Sequence, residues 1–131
     1  MAALVDIQDW AGLAGCFADR LTLDYTSLWG GEAREISRDG LIGQWQGLLP
    51  GFDATCHELG PVAVSVRGDQ AEAPVSASHL LDGQAWIVRG RYSCRLSRDG
   101  EGWRISHLEY ANESESGDRA LAEEAKKRAA G

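Results

Sequence analysis

Apolar residues recur at helical spacing near the N-terminus, where Trp10, Leu13, Ala14 and Phe17 share one stripe and Asp9 is placed to cap it. Residues 21–25, Leu-Thr-Leu-Asp-Tyr, then alternate as a short strand does. Trp29-Gly-Gly reads as a loop, because glycine admits positive φ. Ser37 is placed to cap a second helix over about 39–48. Its stripe is Leu41, Ile42, Trp45 and Leu48 or Leu49, and Pro50-Gly51 ends it. From residue 54 the period falls to two. Segments 54–59, 62–66, 70–81, 86–96 and 103–110 read as strands, separated by Gly60-Pro61, Gly68-Asp69, Asp82-Gly83 and the run 98–102. In the first long strand Ala71, Ala73, Val75, Ala77, His79 and Leu81 share a face. In the next, Trp86, Val88, Tyr92, Cys94 and Leu96 oppose Ile87, Arg89, Arg91, Ser93 and Arg95. Helices followed by hairpin-linked strands predict an α+β fold. A long twisted sheet curled around an N-terminal helical layer would enclose a pocket.

Beyond Asn112 the chain turns polar, and residues 119–130 are rich in Ala, Glu, Lys and Arg. This predicts a domain over 1–112, then a polar linker and a mostly solvated C-terminal helix over 113–131. A length of 131 residues fits one domain with one sizeable core. The balance of 20 Asp and Glu against 13 Lys and Arg, net -7, opposes a nucleic-acid or anionic-membrane partner, since phosphates recruit basic patches. No apolar run approaches 18 residues, and the first ten residues lack the basic and apolar regions of a signal peptide. Cys16, Cys56 and Cys94 are few and widely spaced, which reads as reduced thiols in a cytoplasmic protein.

Candidate chemistry is sparse. His57, His79 and His107 each fall in a predicted strand, where a lone histidine is usually a packed or hydrogen-bonded structural residue. Their spacing matches no metal-ligand motif, so no metal site is expected. No GxSxG elbow, P-loop or GxGxxG is present. Cys56 adjoins His57, but strand neighbours point to opposite faces. Arg89 and Arg91 read as a solvated or dimer-facing stripe, and the five tryptophans as core.

Five segments taken in order carry a resemblance. They are Asp9-Trp10-Ala-Gly-Leu13, Cys16-Phe-Ala-Asp19, Leu21-Thr-Leu-Asp-Tyr25-Thr-Ser, Leu49-Pro-Gly-Phe-Asp-Ala-Thr-Cys-His57, and Asp99-Gly with Trp103-Arg-Ile. Over about residues 5–112 the chain resembles the SnoaL-like branch of the nuclear transport factor 2-like superfamily, with a closer likeness to the scytalone dehydratases. The resemblance implies a cone-shaped, cystatin-like α+β fold. In it a curved antiparallel or mixed sheet wraps N-terminal helices around an internal, mostly apolar cavity. The dehydratase's aspartate–histidine dyad falls on Asp6 and His79, its second cavity histidine on His57 and its cavity tyrosine on Tyr25. A second tyrosine of that family is replaced by Val5, and its cavity asparagine falls near Arg91. The catalytic aspartate of ketosteroid isomerase matches Tyr25, so that enzyme's base is absent. Little of the family's first helix precedes Asp6, which leaves open what closes that end of the cavity.

The resemblance further implies that Arg89 and Arg91 reach the cavity, where they would favour an anionic ligand. With them Leu28, Gln44, Leu108 and Tyr110 would contact substrate. Strand alternation opposes the arginines, since it would then turn Trp86, Val88 and Tyr92 outward, a face that could serve as a dimer interface. The implied activity is that of a lyase or isomerase needing neither cofactor nor metal. Its most concrete form is dehydration of a hydroxylated carbonyl compound, aromatic or polyketide-like, by the Asp–His pair. The alternatives are an epoxide hydrolase or polyketide cyclase on the same cavity, and a non-catalytic ligand-binding or dimerisation module. A homodimer with a small-molecule ligand is the expected assembly.

Overall fold

The computed structural model describes residues 1–65, 69–100 and 102–131. Val66, Gly68 and Glu101, which take part in the strand and turns expected over 62–69 and 98–102, lie outside the described residues. Two five-residue helices open the chain, α1 (Ala2–Asp6) and α2 (Trp10–Ala14), the latter capped by the Asp9 carboxylate, which accepts from Gly12 N. The helix expected to reach Phe17 stops early because Gly12 and Gly15 weaken it. Phe17 instead opens strand β1 (Phe17–Asp24) and is fully buried there. A short helix α3 (Thr26–Trp29) follows, then β2 (Arg34–Ser37) and α4 (Arg38–Gln46). Ser37 caps α4, accepting from Gly40 N as its position predicts. A single 3-10 turn (Leu49–Gly51) leads into the strands.

The strands are β3 (Ala54–Leu59), β4 (Ala63–Ser65), β5 (Gln70–Leu81), β6 (Gln84–Asp99) and β7 (Gly102–Gly117). They form one curved mixed sheet in the order β2-β1-β7-β6-β5-β3, with β4 on the other half of β5. Only β1 with β7 is parallel among the described pairings. Register shifts at Arg89/Gly90 and Arg95/Leu96 bend the long β6–β7 ribbon, the usual effect of a bulge. Gly90 makes the first bend possible, because a Cβ there would lie 2.0 Å from the Ala111 carbonyl oxygen. One face of the sheet carries the core, to which β5 supplies Ala73, Val75, Ala77, His79 and Leu81.

Two expectations for the C-terminus change. The polar run from Asn112 is the second half of β7 rather than a linker, paired with β6 as far as Trp86 opposite Gly117. Its polar side chains are used, since Asn112 and Glu115 bond to Tyr110, Trp86 and Arg119. The closing helix α5 (Ala120–Ala130) is docked, with Leu121, Ala122 and Ala125 buried. It seats on the 3-10 turn, where the Gly51 α-carbon approaches Ala125 too closely to leave space for any side chain. No helix of the described residues is long and apolar enough to cross a membrane.

Candidate active site

Between the sheet and α1, α3 and α4 lies a cavity of about 80 Å³ with a largely apolar lining. All three tyrosines of the chain line it, Tyr25, Tyr92 and Tyr110, together with His57, His79, Trp29, Trp45 and Trp86. No Asp or Glu is in that lining.

The carboxylate that reaches His57 is Asp6, from the end of α1. Because α1 packs on β3, and β3 is the edge of the sheet, the outward N–H groups of β3 have no strand partner. The Asp6 carboxylate takes one of them: His57 N donates to Oδ2 at 2.6 Å. The same carboxylate holds the His57 ring, Nδ1 to Oδ1 at 2.6 Å, and accepts from Thr55 Oγ1 at 3.0 Å. Thr55 and His57 are two apart, hence on one face of β3, while Cys56 between them is exposed. A carboxylate on Nδ1 fixes the proton there and leaves Nε2 as the basic nitrogen.

This revises the pairing expected from the resemblance. The resemblance pairs Asp6 with His79, whereas the carboxylate holds His57. His79 sits one strand further in, opposite Thr55 and Trp86. Its Nδ1 lies 3.0 Å from the Trp86 carbonyl oxygen, which can only accept. His79 is therefore the tautomer protonated on Nδ1, with Nε2 an acceptor. Its ring stacks on Trp86 at 4.6 Å and stands 6.1 Å from the His57 ring. Burial pushes its pKa down to about 4, so it is neutral at neutral pH.

Tyr25 occupies the corner between β1 and α3. That corner is fixed from both sides of it: Asp24 Oδ1 accepts from Thr26 N at 3.0 Å and from Thr26 Oγ1 at 2.6 Å. Those bonds also hold the Asp24 carboxyl below its usual range. Ser27 Oγ then donates to the Tyr110 carbonyl oxygen at 2.7 Å and accepts from Asn112 N at 2.8 Å, tying the corner to β7. Tyr25 stacks on Tyr110 at 5.7 Å, and Tyr92 meets Tyr110 edge-on at 5.6 Å. Burial raises all three hydroxyls: Tyr92 and Tyr110 to about 12, and Tyr25 well above its ordinary value, the last also through the neighbouring Tyr92 hydroxyl. The cluster is a set of neutral O–H donors.

Of the expected substrate contacts, Leu28 and Tyr110 line the cavity. Leu108 is buried in the core without reaching it, and Gln44 faces a separate outer cleft. Arg89 and Arg91 do not enter. They are exposed on the outer face of β6, while Trp86, Val88 and Tyr92 face inward. The alternation of β6 decides this, and it also removes those aromatics from any outward dimer surface. His107, on β7 opposite Arg95 and Thr22, does not line the cavity. Trp86 and Tyr92 join the site from the face that the two-residue period marks as apolar; Thr55 carries no sequence signal beyond its spacing from His57. Among the described residues no three His, Cys, Asp or Glu side chains gather as a metal site would require.

Comparisons with known proteins agree with this architecture. Among solved structures, the Kfla4162 protein of Kribbella flavida superposes with a TM-score of 0.82 at 24% identity, covering 95% of this chain and 88% of that one. A Novosphingobium aromaticivorans protein assigned as a scytalone dehydratase gives 0.73 at 17% identity, covering 90% and 80%. The hexachlorocyclohexane dehydrochlorinase LinA-type3 of Novosphingobium barchaimii gives 0.72 at 14%, covering 90% and 82%. A search of curated proteins found no significant match. The profile of the SnoaL-like domain matches residues 1–109, and the chain belongs to that family.

Proposed function

We propose that the cavity performs a cofactor-independent elimination on a small carbonyl compound, most concretely the loss of water from a β-hydroxy carbonyl. The observation that carries this reading is the Asp6–His57 pair on the wall of a cavity that also holds three neutral tyrosines. His57 Nε2 takes the proton α to the carbonyl, and Asp6 stabilises the imidazolium that forms. The Tyr25 hydroxyl donates to the enolate oxygen, in a setting where low dielectric strengthens the bond. His79 Nε2, neutral and fixed, accepts a hydrogen bond from the substrate hydroxyl and so orients it. The C–O bond breaks as the enolate collapses, and the proton on His57 leaves with the hydroxide as water. The apolar and aromatic walls suit an aromatic or polyketide-like substrate.

The fold neighbours include a protein assigned as a dehydratase and a dehydrochlorinase, which supports elimination as the reaction class. Isomerisation uses the same base when the proton returns to another carbon. A carboxylate-based epoxide hydrolysis fits less well, because the cavity lining offers no Asp or Glu. A ligand store remains the second reading, favoured by the small volume. A homodimer belongs to the proposal, and sedimentation tests it. The main test is a screen of β-hydroxy carbonyl compounds for loss of water by mass spectrometry, with His57→Asn beside the wild type. Turnover that falls a hundredfold or more in His57→Asn supports the reading; unchanged turnover overturns it.

A further inference from the structure

Outside the cavity lies a second, larger cleft of about 670 Å³. The two share a wall: Tyr25, Trp29, Trp45 and Leu48 line both. Trp29 is the exposed part of that wall, 45% accessible, and its ring packs on Trp86 of the inner cavity at 5.5 Å. From the outer side Arg119, at the N-cap of α5, and Lys126 within it lie over the same ring, at 5.5 and 5.7 Å. Gly30 and Gly31 follow with φ of 78° and 77° and open space around both. The exposed part of the partition is thus one aromatic ring followed by two glycines in left-handed backbone.

The charge of this cleft differs from that of the chain. Arg34 and Lys126 line it against one carboxylate, Glu32, so the lining is net positive on a chain of net charge -7. Among the described residues Arg34 has no carboxylate partner, and the Lys126–Glu123 contact at 3.3 Å is an exposed i,i+3 pair of the kind that exchanges readily. Guanidinium and ammonium groups beside an aromatic wall suit a carboxylate on an apolar stem.

We propose that the cleft is the outer half of the binding site. The ligand is elongated, with an apolar head in the inner cavity and a carboxylate held outside by Arg34 and Lys126. This rests on the cavity being the site described above, but not on any reaction taking place there. The test is a titration of the whole protein with ω-phenylalkanoates, from phenylacetate to 6-phenylhexanoate, beside their primary amides. Binding is read from the indole N–H resonances of Trp29 and Trp45. Affinity for the acids should rise with stem length until the carboxylate spans the wall, reaching at least tenfold over the matching amide. Arg34→Gln with Lys126→Gln should bring acid and amide level while leaving the amide unchanged; both residues are on the surface, and an unchanged melting curve confirms that the fold is kept. Equal affinity of acid and amide at every length overturns the proposal, as does a preference that survives the double substitution, or shifts that spare Trp29. Because the probes do not react, a carboxylate preference in a protein without dehydratase turnover would leave this inference standing and remove the elimination reading alone.

Discussion

The Asp6 carboxylate grips His57 twice, by the backbone N–H and by ring Nδ1, each at 2.6 Å. One side chain thus sets the tautomer of the proposed base and satisfies an edge-strand donor. These roles separate on substitution. Asp6→Asn keeps an acceptor for the backbone but removes the charge that stabilises imidazolium, so kcat should fall a hundredfold or more with little change in Tm. Asp6→Ala also leaves the His57 N–H and Thr55 hydroxyl unpaired and should destabilise by about 1–3 kcal/mol in denaturant unfolding. Equal losses of stability in both variants would show that the carboxylate is only structural.

His79 makes stability depend on pH. Its folded pKa is about 4 against an ordinary 6.5. Between those values the unfolded chain binds a proton that the folded chain refuses. Stability from this group is full above about pH 6.5, declines as pH falls toward 4, and levels off below. The total is on the order of 3 kcal/mol. His79→Phe should flatten that part of a stability–pH curve measured by urea unfolding. A wild-type slope that persists in His79→Phe would assign the effect to other groups.

The tyrosines give an optical check. Unfolded tyrosine ionises near pH 10. Here burial holds Tyr92 and Tyr110 at about 12 and Tyr25 well above its ordinary value. Absorbance near 295 nm should stay flat in the native protein at pH 10.5 and rise by roughly two tyrosinates on unfolding, since each of the three is then about three-quarters ionised. In the proposed reaction Tyr25→Phe should lower kcat about a hundredfold, as removal of one oxyanion donor does. An early native rise of one tyrosinate would mean that the cluster is open to solvent.

How much of this was legible follows from the length of each signal. The strands β5 and β6 run long enough for a two-residue period to show, and it placed Trp86, Val88 and Tyr92 together against Arg89 and Arg91. The family resemblance then drew the arginines inward, and the local period proved the better guide. The helices α1, α2 and α3 are four or five residues long, too short for a period, so the Tyr25 corner and its Asp24, Thr26 and Ser27 bonds appeared only as a motif. Asp6, Tyr25, His57 and His79 were found as a set, but not which histidine takes the carboxylate. That choice depends on α1 lying against the edge strand, a tertiary fact. The tail of β7 was hidden by its polarity, since strand residues that bond to Trp86, Tyr110 and Arg119 read as a linker.

Glycines at two positions predict opposite responses to the same change. A Cβ on Gly51 would fall 1.8 Å from the Ala125 carbonyl oxygen, backbone that cannot swing aside. Gly51→Ala must therefore lift α5 from the 3-10 turn, which overpacking data put at about 1–3 kcal/mol, or roughly 4–12 °C in Tm. Since α5 carries Arg119 and Lys126 over Trp29, the indole resonance of Trp29 should move with the melting point. Gly43 lies inside α4 with nothing near its Cβ position. Gly43→Ala should raise stability by up to about 1 kcal/mol through helix propensity alone and leave Trp29 unmoved. Thermal melts and the Trp29 resonance of the two variants together test whether α5 is docked: a Gly51→Ala protein that melts with the wild type would show that the helix is not seated on the turn.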